Sequence, residues 1–158
     1  MKSLKILLVI ALLMIAGTFS FFIYRMGTND AKALADFQTA YSNYNQAIAD
    51  FSSAVLSPDP VGAANIDDLE SKANQALVIL NSKASVRISS LTKNDGELMK
   101  VSLEIAALAA EEFDTLLAYQ SASFDNSISL DQLSTQFHDL DNQRQAAYAQ
   151  YLELAQIK

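Results

Sequence analysis

Two charged side chains stand where a hydrophobic seam would place apolar ones. Heptads counted from Leu98, Val101, Ile105 and Leu108 put Glu112 at the next core position. Heptads counted from Leu130, Leu133, Phe137 and Leu140 put Arg144 there. A lone charge in a core is very costly, whereas a matched pair can be accommodated. The two positions lie within about two helical turns of each other in an antiparallel pairing, which is within reach of an Arg side chain. Two readings follow, and the first is a core or half-buried Glu112–Arg144 pair, with Arg87 near enough to join it. In the alternative, both helices rotate slightly, Phe113 takes the seam, and both charges reach the surface along their stems. The structural use of such a pair is to fix register. Its functional use would be a ligand site, with Arg144 clamping a carboxylate beside Tyr41, Tyr44 or Tyr151. Core packing is the simpler account of those tyrosines.

Other chemistries lack their residues. The chain has no Cys, one His and no Trp, which excludes thiolate metal sites, thiol nucleophiles and disulfides within one chain. His138 and Asp141 share a helix face at i, i+3, but a metal site wants three or four ligands, so a solvated acidic face is the better reading. The Glu-x-x-His pattern of di-iron bundles is missing, as is a Gly-rich phosphate loop. A single His offers little for an acyl-transfer triad. The expectation is a protein that is not an enzyme, with no catalytic residue, metal or cofactor.

The elements that must position the pair are helices. Among 158 residues there are only four Gly and two Pro, and Ala, Gln, Leu and Ser dominate. Leu34, Phe37, Tyr41, Tyr44, Ile48, Phe51 and Val55 follow one another at alternating spacings of three and four, a heptad seam. It is closed by Ser57-Pro58-Asp59-Pro60. Asn29 is placed as its cap. A second seam runs through Ile66, Leu69, Ala73, Leu77, Leu80, Ala84, Ile88 and Leu91, with Asn65 as cap and Asp67 and Asp68 in its first turn. Asn94-Asp95-Gly96 reads as a turn. A third seam carries Leu98 to Tyr119, residues 122–128 read as a loop, and Ser129 with Gln132 forms a capping box before the fourth. The predicted helices cover about 30–56, 66–92, 96–121 and 130–157. Stripes of matched length with short connections point to an antiparallel up-down-up-down four-helix bundle. A helical hairpin that completes its core by oligomerising is the alternative.

Ahead of the bundle, residues 4–24 read LKILLVIALLMIAGTFSFFIY. Twenty-one residues at about 1.5 Å each span a hydrocarbon core of about 30 Å. Lys5 snorkels, and Phe21, Phe22 and Tyr24 fit an interfacial aromatic belt. The run is too long for a signal-peptide core, and cleavage at Thr18-Phe19-Ser20 would leave an apolar start, so an uncleaved anchor is expected. Residues 1–25 are thus a transmembrane signal-anchor helix, and residues 26–158 a single acidic domain. That domain has eight Lys or Arg against 18 Asp or Glu, a net charge of −10, which repels nucleic acid and anionic headgroups. The charged start, Lys2 and Lys5, favours the amino terminus inside and the domain outside a bacterial cytoplasmic membrane.

In layout alone, an anchor followed by a helical bundle resembles the periplasmic sensor domains of chemoreceptors. Those receptors add a second span and a cytoplasmic output module, for which this sequence shows no pattern. The function expected is a membrane-anchored extracytoplasmic interaction or scaffold module, an accessory subunit with a protein partner or a second copy of itself. The alternative is a small-ligand-binding bundle without its own output.

Overall fold

The computed structural model describes residues 30–56, 63–84, 95–125 and 129–156. They form four helices, with no strand among them. We label these α1 (helical over 30–55), α2 (Ala63–Ala84), α3 (Asp95–Asp125) and α4 (Leu130–Gln156). The fold is all-α and consistent with a four-helix bundle. The apolar run 4–24 and Arg87 lie outside the described residues, as do Asn29, Ile88 and Leu91. Among the described residues no helix is long and apolar enough to cross a membrane.

Each helix exists because its apolar stripe has somewhere to go. On α1, Phe37, Tyr41, Tyr44, Ile48 and Phe51 are buried, with Ala40 beside them, while Leu34 and Val55 are partly buried towards its two ends. Burial of side chains this large contributes roughly 1.5–3 kcal/mol each. On α2 the inward residues are Ala73, Leu77, Leu80 and Ala84. On α4 they are Phe137, Leu140, Arg144, Ala147 and Tyr151. The stripe of α3 is wider than one seam. Leu98, Val101, Ile105 and Leu116 are joined by Ala106, Ala109 and Phe113, while Leu108 is only half-buried.

Cross-helix contacts give the directions. Phe37 meets Tyr151, Tyr41 stacks on Tyr148, and Asn45 bonds Arg144, so the numbers rise along α1 as they fall along α4. Asp36 pairs with Lys83, and a shallow groove brings Ala47 and Asp50 beside Leu69 and Lys72, so α2 also opposes α1. Tyr44 reaches Ala109 and Glu112, and Phe51 meets Phe113, so α3 runs with α1.

Two boundaries differ from the sequence expectation. Asn65 does not cap α2. It is the third residue of a helix that starts at Ala63, because Ala63 and Ala64 are strong helix formers and extend the helix backwards. Asp67 and Asp68 consequently lie beyond the first turn. At its other end α3 continues through Asp125 instead of ending at 121. The added turn is held by Ala122, which is buried against the core and outweighs the weak propensity of the Ser, Phe and Asp around it. At the start of α4 the Ser129 carbonyl accepts from the Gln132 and Leu133 amides at 3.1 and 3.3 Å, the bonding expected of an N-cap residue.

Candidate functional site

Seam periodicity carries Glu112 on α3 and Arg144 on α4 into the middle of the bundle, and both are completely buried, at 0% exposure. Neither helix rotates to release its charge. Phe113 is buried as well, so α3 presents two adjacent positions inward rather than exchanging one for the other.

The two side chains meet through a pair of bonds. Arg144 Nε donates to Glu112 Oε2 at 2.8 Å and Nη2 donates to Oε1 at 3.2 Å, the two-pronged geometry that gives Arg–carboxylate pairs their strength. Asn45 on α1 accepts at Oδ1 from Nη1 and Nη2 at 3.1 and 3.2 Å. Asp141, one turn back on α4, accepts from Nη2 at 2.6 Å. Its side chain keeps 28% exposure and also accepts from Gln145. The guanidinium carbon lies 5.4 Å from the Tyr41 ring centre and 5.2 Å from that of Tyr44, inside cation–π range of both. The Tyr44 hydroxyl lies 2.7 Å from the Ala109 carbonyl oxygen and 3.0 Å from Glu112 Oε2. Three helices are therefore tied at one height.

An aromatic layer continues towards the far end of α4. Tyr41 stacks on Tyr148 at 3.6 Å between centroids, Tyr148 lies parallel to Tyr151 at 6.0 Å, and Phe37 packs on Tyr151 at 4.7 Å. The Tyr151 hydroxyl is buried without a hydrogen-bond partner among the described residues. Burial raises the phenol pKa values of Tyr44, Tyr151, Tyr41 and Tyr148, because a phenolate in this layer would lose its water. At Tyr44 the Glu112 carboxyl adds to the rise.

Of the sequence candidates, the structure brings together Glu112, Arg144, Tyr41 and Tyr44. Tyr151 is in the adjoining layer, and Arg87 lies outside the described residues. Heptad counting overlooked Asn45, Asp141 and Tyr148. The signal for Asp141 was present, since it stands three residues before Arg144 on one helix face. Asn45 follows a seam tyrosine and carries no periodic signal of its own. His138 is exposed, with its ring edge-on to Phe137, and no group of three or more His, Asp or Glu able to hold a metal occurs among the described residues.

The arrangement suits cohesion better than capture. The carboxylate that Arg144 would clamp is supplied by the chain itself. An open cleft along α4, by Leu133, Gln136, Leu140 and Gln143, does not include the ion cluster. Compared with family models, curated proteins and solved structures, the chain matches none.

Proposed function

We propose that this chain is a membrane-anchored extracytoplasmic interaction module. A signal-anchor over 4–24 would hold an up-down-up-down antiparallel bundle outside the cytoplasmic membrane, where it serves as an accessory or scaffold subunit of an envelope complex. The observation that carries this reading is the closed polar node. Arg144 and Glu112 are fully buried and satisfied by Asn45, Asp141 and Tyr44. Their chemistry is spent on holding helices together, which leaves recognition to the outer faces.

Those faces support the same reading. Val78 and Ile79 on α2 and Leu103 on α3 are 62%, 48% and 44% exposed. Residues 26–158 as a whole are acidic, which favours a partner with a cationic rim around an apolar contact. The ligand-binding alternative has less support, because its anchoring guanidinium is already engaged.

The test is affinity purification of the tagged full-length protein from its own membranes after mild crosslinking. A stoichiometric protein, or a second copy of this chain, is expected to accompany it. Recovery of a solitary monomer across growth conditions would refute the interaction reading.

A further inference from the structure

Resting on the interaction-module reading, we propose that the outer side of α3, where it adjoins α2, docks a cationic amphipathic helix of a partner protein. Two contacts fix the order of residues around α3. Glu112 turns to α4 through Arg144, and the Ser102 hydroxyl turns to α2, donating to the Ala84 carbonyl at 3.0 Å. At about 100° per residue, the surface beyond Ser102 passes first through Ala110 and Leu103, then through Ala107. It next reaches Glu111, Glu104 and Glu97, on the edge nearest α4. Leu103 is 44% exposed, and Ala107 and the three glutamates are exposed as well.

α2 supplies the other wall. Lys83 pairs with Asp36, and Lys72 lines the groove against α1, so α1 covers one flank of α2 and Val78 turns towards the other. The Ser102–Ala84 bond also sets the height. Because α2 runs against α3, Val78 stands six residues before Ala84 and level with the residue six beyond Ser102. Val78 is 62% exposed and borders the strip beside Ala107 and Ala110. The result is a shallow apolar strip. Its alanines allow a second helix axis to approach within about 8–10 Å.

The charges beside the strip have one sign. Glu97, Glu104 and Glu111 recur every seven residues along about 21 Å of helix, and Asp114 is exposed near the far end. Lys100 is the one cation of α3, so these four acids less Lys100 leave three surplus negative charges. None of the four acids has an ion pair among the described residues. The two α2 lysines face α1 and do not neutralise them.

Charge complementarity selects the occupant. A second copy would set this row against itself, or against a domain of net charge −10, and like charges across an interface repel. A helix with small or aliphatic residues on one stripe and Lys or Arg every seven residues beside it matches both features. Flanking charges choose partners in coiled coils by the same means.

The experiment uses the full-length protein in nonionic micelles and a synthetic helical peptide of about three heptads. The peptide carries Leu and Ala at its seam, Lys along one flank and a benzophenone at one seam position. Fluorescence anisotropy gives its affinity, and mass spectrometry maps where light attaches it. Attachment is expected on α2 and α3 within about one turn of Val78, Leu103 and Ala107. A peptide with Glu in place of Lys is expected not to attach. Glu104→Lys with Glu111→Lys, both at exposed sites, should weaken binding at least about tenfold. Asp139→Lys with Glu153→Lys makes the same change in net charge at exposed sites on α4, and should weaken it about twofold or less. Attachment to another face, no attachment, or equal weakening by the two pairs would overturn the proposal. The purification from native membranes decides the interaction-module reading separately. If the peptide maps to the strip while the protein is recovered as a solitary monomer, that reading fails and the docking surface stands.

Discussion

Replacing Arg144 with Met tests whether the ion cluster holds the bundle together. Met keeps an unbranched stem of similar reach and fills irregular space well, so the change isolates the guanidinium. The variant loses both bonds to Glu112 and those to Asn45 and Asp141. Glu112 is left completely buried with Tyr44 as its remaining partner. Removing one member of a buried pair costs about 3–5 kcal/mol. The Tyr44 hydroxyl still donates to Glu112 in the variant, which places the cost near the lower end, about 3 kcal/mol. For a domain of this size that corresponds to a fall in Tm of about 10–15 °C. The assay is thermal unfolding of the full-length protein in micelles followed by far-ultraviolet circular dichroism, with urea midpoints as a second measure. The double variant Glu112→Leu with Arg144→Met removes the need for a partner, and is expected to melt within about 5 °C of wild type or above it. A single variant that melts within about 3 °C of wild type would show that the node is energetically idle, and the reasoning would fail.

Tyr44→Phe removes the hydroxyl between Ala109 and Glu112 and should lower stability by about 1–3 kcal/mol in urea unfolding. Tyr151→Phe removes a buried hydroxyl that lacks a partner, so it should be neutral or stabilising by up to about 1 kcal/mol. Val78→Lys with Ile79→Lys, on the exposed face of α2, should change stability by about 0.5 kcal/mol or less and sharply reduce recovery of a crosslinked partner.

The seam of α1 was readable because nothing interrupts its alternation of threes and fours. Its five central members, Phe37 to Phe51, are all buried. The same counting assigned Glu112 and Arg144 to core positions but left open whether the charges stay there or reach the surface, and both are buried. It failed where tertiary packing overrides local signals. Asn65 looks like a cap, yet two alanines start the helix earlier. Residues 122–125 look like a loop, yet Ala122 has a core to pack against. Counting along one helix also cannot reveal what enters from the flank of another. Asn45 and Tyr148 join the cluster only because α1 and α4 meet in one particular register, and that register is a property of the pair.

The cluster itself enforces that register. A seam built from Phe, Tyr, Leu and Ala tolerates a one-turn slip of α4 against α1, since each aromatic would meet another apolar neighbour. Arg144 does not tolerate it. Shifted by a turn, its guanidinium would meet Tyr41 or Ile48 at the height where it now finds Asn45, and Glu112 would lose its partner. The wrong registers are therefore penalised by about the cost of an unpaired buried charge, several kcal/mol, while the correct one gains little over an apolar pair. On this account the double variant Glu112→Leu with Arg144→Met keeps its stability and loses its uniqueness. Spin labels at exposed Gln46 on α1 and Gln143 on α4 should then report one narrow distance distribution in wild type and a broadened or split one in the double variant. An unchanged narrow distribution would mean that shape complementarity among Phe37, Tyr41, Tyr148 and Tyr151 sets the register without the charges.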